Sequence, residues 1–308
     1  MNRDQITDRT RGYTIGGVRI LAGLMWLANL HWKVPPDFGE KSGGGLFKYA
    51  RAGSLDAPFA PFRWVLREIV IPHFQIFGWF TLISEIVVAA LLLVGYRTRL
   101  TALAGATMAV PIGLSVIYYP KADEWAWSYL LMIGLHLLLW AVPSGEHLGA
   151  DGVLAGEPAA ARRALRSTGT VAIVVGVLGA FVARSIAFSG KGAALLGSDA
   201  GFVVDGKVTH RWELKFLWFN PLWALLTIVC GVLLVVGSRR LIAAVAGAAG
   251  LTCLALVVLA QQTFDYARAD GVVQRVATGS NVAFWGGLAV AATLFALRAR
   301  ISEPALME

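Results

Sequence analysis

The chain has 308 residues, of which 57% are hydrophobic and 15% charged, with a mean hydropathy of +0.65. Soluble domains carry about 25% charged residues, so this composition excludes a water-soluble globular protein and defines a polytopic membrane protein. The net charge of +8 does not point to nucleic acid, because the basic residues gather at the ends of apolar runs, where lipid headgroups lie. Cys230 and Cys253 sit inside apolar runs with no C-x-x-C pair, which reads as two small core residues rather than thiol–disulfide chemistry.

Apolar periodicity predicts eight membrane helices, at roughly 15–33, 73–95, 99–119, 125–142, 168–188, 216–237, 239–260 and 281–298. The first apolar run ends in Trp32-Lys33 without a small-residue cleavage pattern, so no cleavable leader is expected. An even number of spans leaves both termini on one side. Raw counts of Lys and Arg tie between the sides, but three basic clusters fall with the termini: Arg97 with Arg99, Arg239 with Arg240, and Arg162 with Arg163 and Arg166. That side is therefore read as cytoplasmic, in an inner-membrane protein.

The large connections then lie outside. Residues 34–72 start with Pro35-Pro36 and contain Gly43-Gly44-Gly45, a flexible loop. They end in Phe59, Phe62, Trp64 interleaved with Arg63 and Arg67, which predicts a short interfacial helix over 57–72, covering the first helices. In residues 189–215, Asp205-Gly206 separates Phe202-Val203-Val204 from Lys207-Val208-Thr209, a hairpin signal. Residues 261–280 are polar and would add a further cover.

The segment Leu91-Leu92-Leu93-Val94-Gly95 with Arg97 and Arg99 is echoed by Leu233-Leu234-Val235-Val236-Gly237 with Arg239 and Arg240. Each is followed by an Ala/Gly-rich helix, so the chain reads as two parallel four-helix units, 1–154 and 155–308. The fold class is thus all-α, eight transmembrane helices in two units, with a small outer β-hairpin. The shared glycine aligns Glu85 with Thr227, so the second unit lacks the acid of the first.

Glu85 is the ionisable side chain that the run Phe74–Gly95 contains. It lies twelve residues past His73, about 18 Å deep at about 1.5 Å per residue. A carboxylate near the midplane needs a partner, a proton or a wet cavity. Helix 1 carries Arg19, Gly23, Trp26, Asn29 and Lys33 at helical spacing. Either Arg19 and Lys33 extend to headgroups, or this stripe faces Glu85 and its pocket; Asn29 favours the second, since an amide wastes its hydrogen bonds in lipid. On helix 4, Ser128, Met132 and His136 share a face, and His136 sits at nearly the depth of Glu85, which makes the two a candidate hydrogen-bonded pair. The alternative for His136 is a structural histidine bonded to a serine or a carbonyl. His31 and His73, with Lys33 and Asp37, could either line an outer mouth or be ordinary interfacial residues. No ligand-spaced motif stands out, so no metal or haem is expected. Pro111 should kink helix 3.

Three of these features resemble the DoxX/DoxD family of bacterial membrane proteins. They are Arg19-Ile20-Leu21-Ala22-Gly23 leading to Trp32-Lys33, Ser84-Glu85 followed by Leu91-Leu92-Leu93-Val94-Gly95-Tyr96-Arg97-Thr98-Arg99, and His136 followed by Gly145-Glu146-His147-Leu148-Gly149-Ala150-Asp151. The resemblance spans residues 15–154. It implies the role of the membrane subunit of thiosulfate:quinone oxidoreductase or of a related redox complex. Under it, quinone is the expected substrate or bound cofactor, with no flavin, and the electron donor is a small, possibly sulfur-containing, molecule or a redox partner. Glu85, His136 and Lys33 would be catalytic, and Arg19, Trp26, Asn29, His31, His73 and Met132 would bind quinone or substrate. A homo-oligomer is compatible with this reading. The rival readings are a proton-coupled transporter of a small solute, with Glu85 as coupling site, and a membrane anchor for another redox protein.

Overall fold

The computed structural model describes residues 3–30, 33–116, 126–184, 193–204, 207–268 and 279–300. The described chain is almost wholly helical. Five helices are long and apolar enough to cross a membrane: Ala60–Val94, Thr98–Val116, Pro158–Val182, Leu241–Ala260 and Gly279–Ala299. Two shorter apolar helices, Ser128–Ala141 and Pro221–Gly237, accompany them. The chain is a multi-pass membrane protein.

Helix α1 (Arg3–Asn29) begins well before the predicted start. The connection that follows is more ordered than its glycines suggest. It contains α2 (Gly45–Asp56), whose buried face includes Leu46, Ala50 and Gly53, where a flexible loop was expected. Gly43 and Gly45 supply left-handed turns with φ of 67° and 52°, so these glycines serve a defined corner. The predicted interfacial helix is built from α3 (Ala60–Val65), one π-helical turn (Leu66–Val70) and one 3₁₀ turn (Ile71–His73). These run directly into α4 (Phe74–Val94).

Gly95 ends α4 in the left-handed conformation, φ 72°, and donates its N–H to the Leu91 carbonyl at 2.8 Å. After this turn come α5 (Thr98–Val116), which contains Pro111, and α6 (Ala126–Ala141). Helix α1 packs on α4, α4 on α5, α5 on α6, and α6 back on α1, a closed ring. A short α7 (Ala150–Ala155) leads to α8 (Pro158–Val182), which starts ten residues before the predicted 168.

Strands β1 (Ala193–Val204) and β2 (Lys207–Phe219) pair antiparallel, with Val204 opposite Lys207 and Ala193 opposite Phe219. Asp205 and Gly206, which carried the hairpin expectation, lie outside the described residues. Next come α9 (Pro221–Gly237), α10 (Leu241–Arg268) and α11 (Gly279–Arg300). Asn220 caps α9, its side-chain oxygen accepting from the Trp223 N–H at 2.8 Å. Helices α8, α9, α10 and α11 close a second ring in the same cyclic order as the first. Gly169 of α8 and Gly231 of α9 face one another so closely that a Cβ on either would meet the other's carbonyl oxygen at 2.6–2.7 Å. Small residues thus set helix spacing, as bilayer packing requires. Helix α11 also packs on α4 and so joins the two rings.

Candidate functional site

The first ring is organised by α1, whose polar residues each reach a different neighbour. At the Gly95 end, the Arg19 guanidinium donates to the Leu92 carbonyl at 2.9 Å and the Leu148 carbonyl at 2.6 Å. It satisfies a carbonyl that the end of α4 leaves open, and it occupies the space that a side chain on Gly95 would fill. Arg19 is therefore a buried clip between α1, the end of α4 and the loop before α7. It does not extend to a headgroup.

Asp151 completes this corner. Its carboxylate accepts from the Arg97 N–H at 2.7 Å, and from the Thr98 N–H and hydroxyl at 3.1 Å each. These donors sit at the N-terminus of α5, so Asp151 caps a helix from 53 residues away. The Tyr-Arg-Thr-Arg turn and the Gly-Ala-Asp ending are two halves of one capping device.

In the middle of α1, Trp26 donates its indole N–H to His136 Nε2 at 2.8 Å. Indole nitrogen is only a donor, so His136 Nε2 accepts and its proton lies on Nδ1. Nδ1 is 2.7 Å from the Met132 carbonyl, one turn earlier in α6, and donates to it. Gly105 of α5 makes room for this pair: a Cβ there would meet His136 Cδ2 at 2.3 Å. Both ring nitrogens of His136 are thus engaged. The expected Glu85–His136 pair is replaced by a Trp26–His136 pair, because α1 stands between α4 and α6 in the ring. Met132 is buried and contributes its carbonyl.

Just past the end of α1, Lys33 lies with its ammonium 2.8 Å from Glu85 Oε2, and both side chains are essentially fully buried. The ammonium also donates to the Asn29 carbonyl at 3.0 Å. Asn29 thus contributes at least its backbone oxygen. Glu85 Oε1 is buried with no hydrogen-bond partner among the described residues. Two charges taken out of water persist only if paired, so either residue alone would be strongly unfavourable here.

This ion pair borders a cavity of about 230 Å³. Its walls come from α2, the α3–π segment, α4, α5 and the start of α6, with Leu66, Phe77, Thr81, Ser115 and Tyr129 among them. Lys33 is the one charged side chain among the described lining residues. Glu85 stands behind Lys33 rather than in the wall. The α3–π segment therefore covers the first ring, as its aromatic–arginine pattern suggests. Tyr49, Thr81, Ser115 and Tyr129 were not singled out by the sequence, since isolated hydroxyls in apolar runs carry no pattern.

Of the other expected residues, His73 is exposed at the start of α4, and His31 lies outside the described residues. Asp37 is buried and turned inward on its own loop, accepting from the Lys41 N–H at 3.3 Å. At Thr227, the position aligned with Glu85, the hydroxyl donates to the Trp223 carbonyl at 2.7 Å.

Fold and site together define a multi-pass helical membrane protein with a buried lysine–carboxylate pair beside an apolar cavity. Residues 46–161 match the model of a family described as "TQO small subunit DoxD", which supports a DoxX/DoxD assignment for this segment. The matched segment holds Glu85, His136 and Asp151, whereas Arg19, Trp26 and Lys33 precede it. No curated protein and no solved structure matches the chain.

Proposed function

We propose that the chain is a quinone-linked membrane oxidoreductase, or the membrane subunit of one, with its quinone head group in the Lys33 cavity. The observation that carries this reading is a buried cation–carboxylate pair bordering a small apolar cavity. Reducing a quinone to a quinol takes two electrons and two protons, and so calls for an apolar cleft with titratable donors at the head group. Lys33 touches the ligand, giving a charge-assisted hydrogen bond to a quinone oxygen. Glu85 holds the ammonium and exchanges its proton. Trp26, His136, Met132 and Arg19 fix α1 so that Lys33 points into the cavity. The electrons come from a small donor or from a partner protein, in keeping with a family described as the small subunit of a larger assembly.

In this reading α1 and the seven apolar helices named above all cross the inner membrane and form two parallel units, 1–154 and 155–308. Both termini are cytoplasmic and the strand pair lies outside. The matching cyclic order of the two helix rings supports the repeat. Purification of the full chain in native lipid tests the function. Quinone at near-stoichiometric yield, lost in Lys33→Met, is the expected result. A stoichiometric redox partner without quinone would favour the anchor reading instead.

A further inference from the structure

We infer that the Lys33 cavity is entered sideways from the bilayer, between α4 and α5, and that its ligand is an amphiphile whose apolar tail stays in that gap. The inference rests on the reading of this cavity as the ligand site, but not on the ligand being a quinone.

The two sides of the cavity differ. On the side of α2, the wall is tight. A Cβ on Gly53 would meet Leu66 Cδ1 and Ser115 Oγ at 2.8 Å each, so α2 is pressed against both the π turn and the end of α5. Three lining residues are exposed: Val65 of the α3 cover, at 37%, and, on the membrane-spanning helices, Phe80 of α4, at 66%, and Pro111 of α5. Phe80 belongs to the stripe Ile76, Phe80, Ile83, Val87, all exposed and one turn apart, and so on the lipid-facing side of α4. Pro111 adjoins Val110 in the exposed stripe of α5 with Leu103. Neither stripe carries a charge, so the opening meets hydrocarbon rather than water.

The opening is level on both helices. Phe80 is six residues into α4, and Pro111 is five residues before the last residue of α5, which runs the opposite way. Glu85, which holds Lys33, lies five residues beyond Phe80, about 7.5 Å deeper at about 1.5 Å per residue. That distance suits one ring with its polar atom on Lys33. Sites for drug-sized ligands span about 300–1,000 Å³. A cavity of about 230 Å³ therefore holds a head group, and a longer ligand must leave its tail outside.

The test needs no quinone. In a Cys230→Ala, Cys253→Ala background reconstituted in phosphatidylcholine vesicles, Met108→Cys places a thiol in the cavity wall, and Ile112→Cys serves if the first variant fails to fold. The membrane-dissolved reagent N-(1-pyrenyl)maleimide should label this thiol at least tenfold faster than a charged, impermeant methanethiosulfonate reagent, after each rate is divided by that of the same reagent with a free thiol. Adding Phe80→Trp should slow the pyrenyl reagent severalfold. Equal or faster labelling by the charged reagent, or no effect of Phe80→Trp, overturns lateral entry. Decylubiquinone should protect the thiol. If labelling behaves as expected without protection, the portal stands and the quinone reading fails.

Discussion

The Lys33 ammonium and the Glu85 carboxylate meet at 2.8 Å between the end of α1 and the middle of α4, both shut off from solvent. Removing one member leaves the other charge buried, which costs roughly 3–5 kcal/mol in comparable buried pairs. Lys33→Met and Glu85→Gln should each lower the unfolding temperature in detergent, and the double variant should be less destabilised than the sum of the two. Strict additivity in this double-mutant cycle would show that the two side chains do not interact.

Glu85→Gln keeps size and polarity but cannot exchange a proton. Quinone-linked turnover in membranes should fall by roughly 10²-fold or more, the range for loss of a general acid or base. Wild-type turnover in this variant would reduce Glu85 to a structural residue.

The Asp151 cap makes a separate prediction on stability. Asp151→Ala removes the acceptor of three donors at the start of α5. Loss of a helix N-cap costs roughly 0.5–2 kcal/mol. Asp151→Asn, which can still accept, should recover part of the loss in the same unfolding assay.

The Trp26–His136 bond is a frame element. His136→Phe would leave the buried indole N–H without an acceptor, at a cost of about 1–3 kcal/mol. Gly105→Ala would force its Cβ into the imidazole, with an overpacking cost of about 1–3 kcal/mol. Both should destabilise the fold, and His136→Gln, which can accept from Trp26, should destabilise it less than His136→Phe. Equal loss in the Gln and Phe variants would mean that the hydrogen bond is not what His136 contributes.

The partner of Glu85 was only half legible in the sequence. Burial cost demands a counter-charge, and helix 1 offers two, Arg19 and Lys33. Depth along a helix, however, says nothing about ring order. Residue counting puts His136 and Glu85 at nearly one depth, but α1 lies between their helices and takes one with Trp26 and the other through Lys33 just past its end. Arg19 looked like a functional or headgroup cation, and it is a backbone clip, because its partners are carbonyls that leave no trace in side-chain pattern. The apolar helices were readable from hydropathy. Helix α2 was not, since Gly43–Gly45 and its mixed composition read as a loop until its Ala50–Gly53 face packs on α5. The aromatic–arginine stretch 58–67 did announce the cover, whereas its π turn, a matter of one hydrogen-bond register, did not.

The central claim, that Lys33 receives the head group of a quinone in the apolar cavity, is tested most directly by equilibrium binding of decylubiquinone to the purified full chain in nanodiscs. Wild-type protein should bind saturably at one site, and Lys33→Met should weaken binding by roughly tenfold or more, as expected for losing a charge-assisted hydrogen bond of about 1.5–3 kcal/mol. Saturable binding of the same affinity in a folded Lys33→Met variant, or no saturable binding to the wild type, would contradict it.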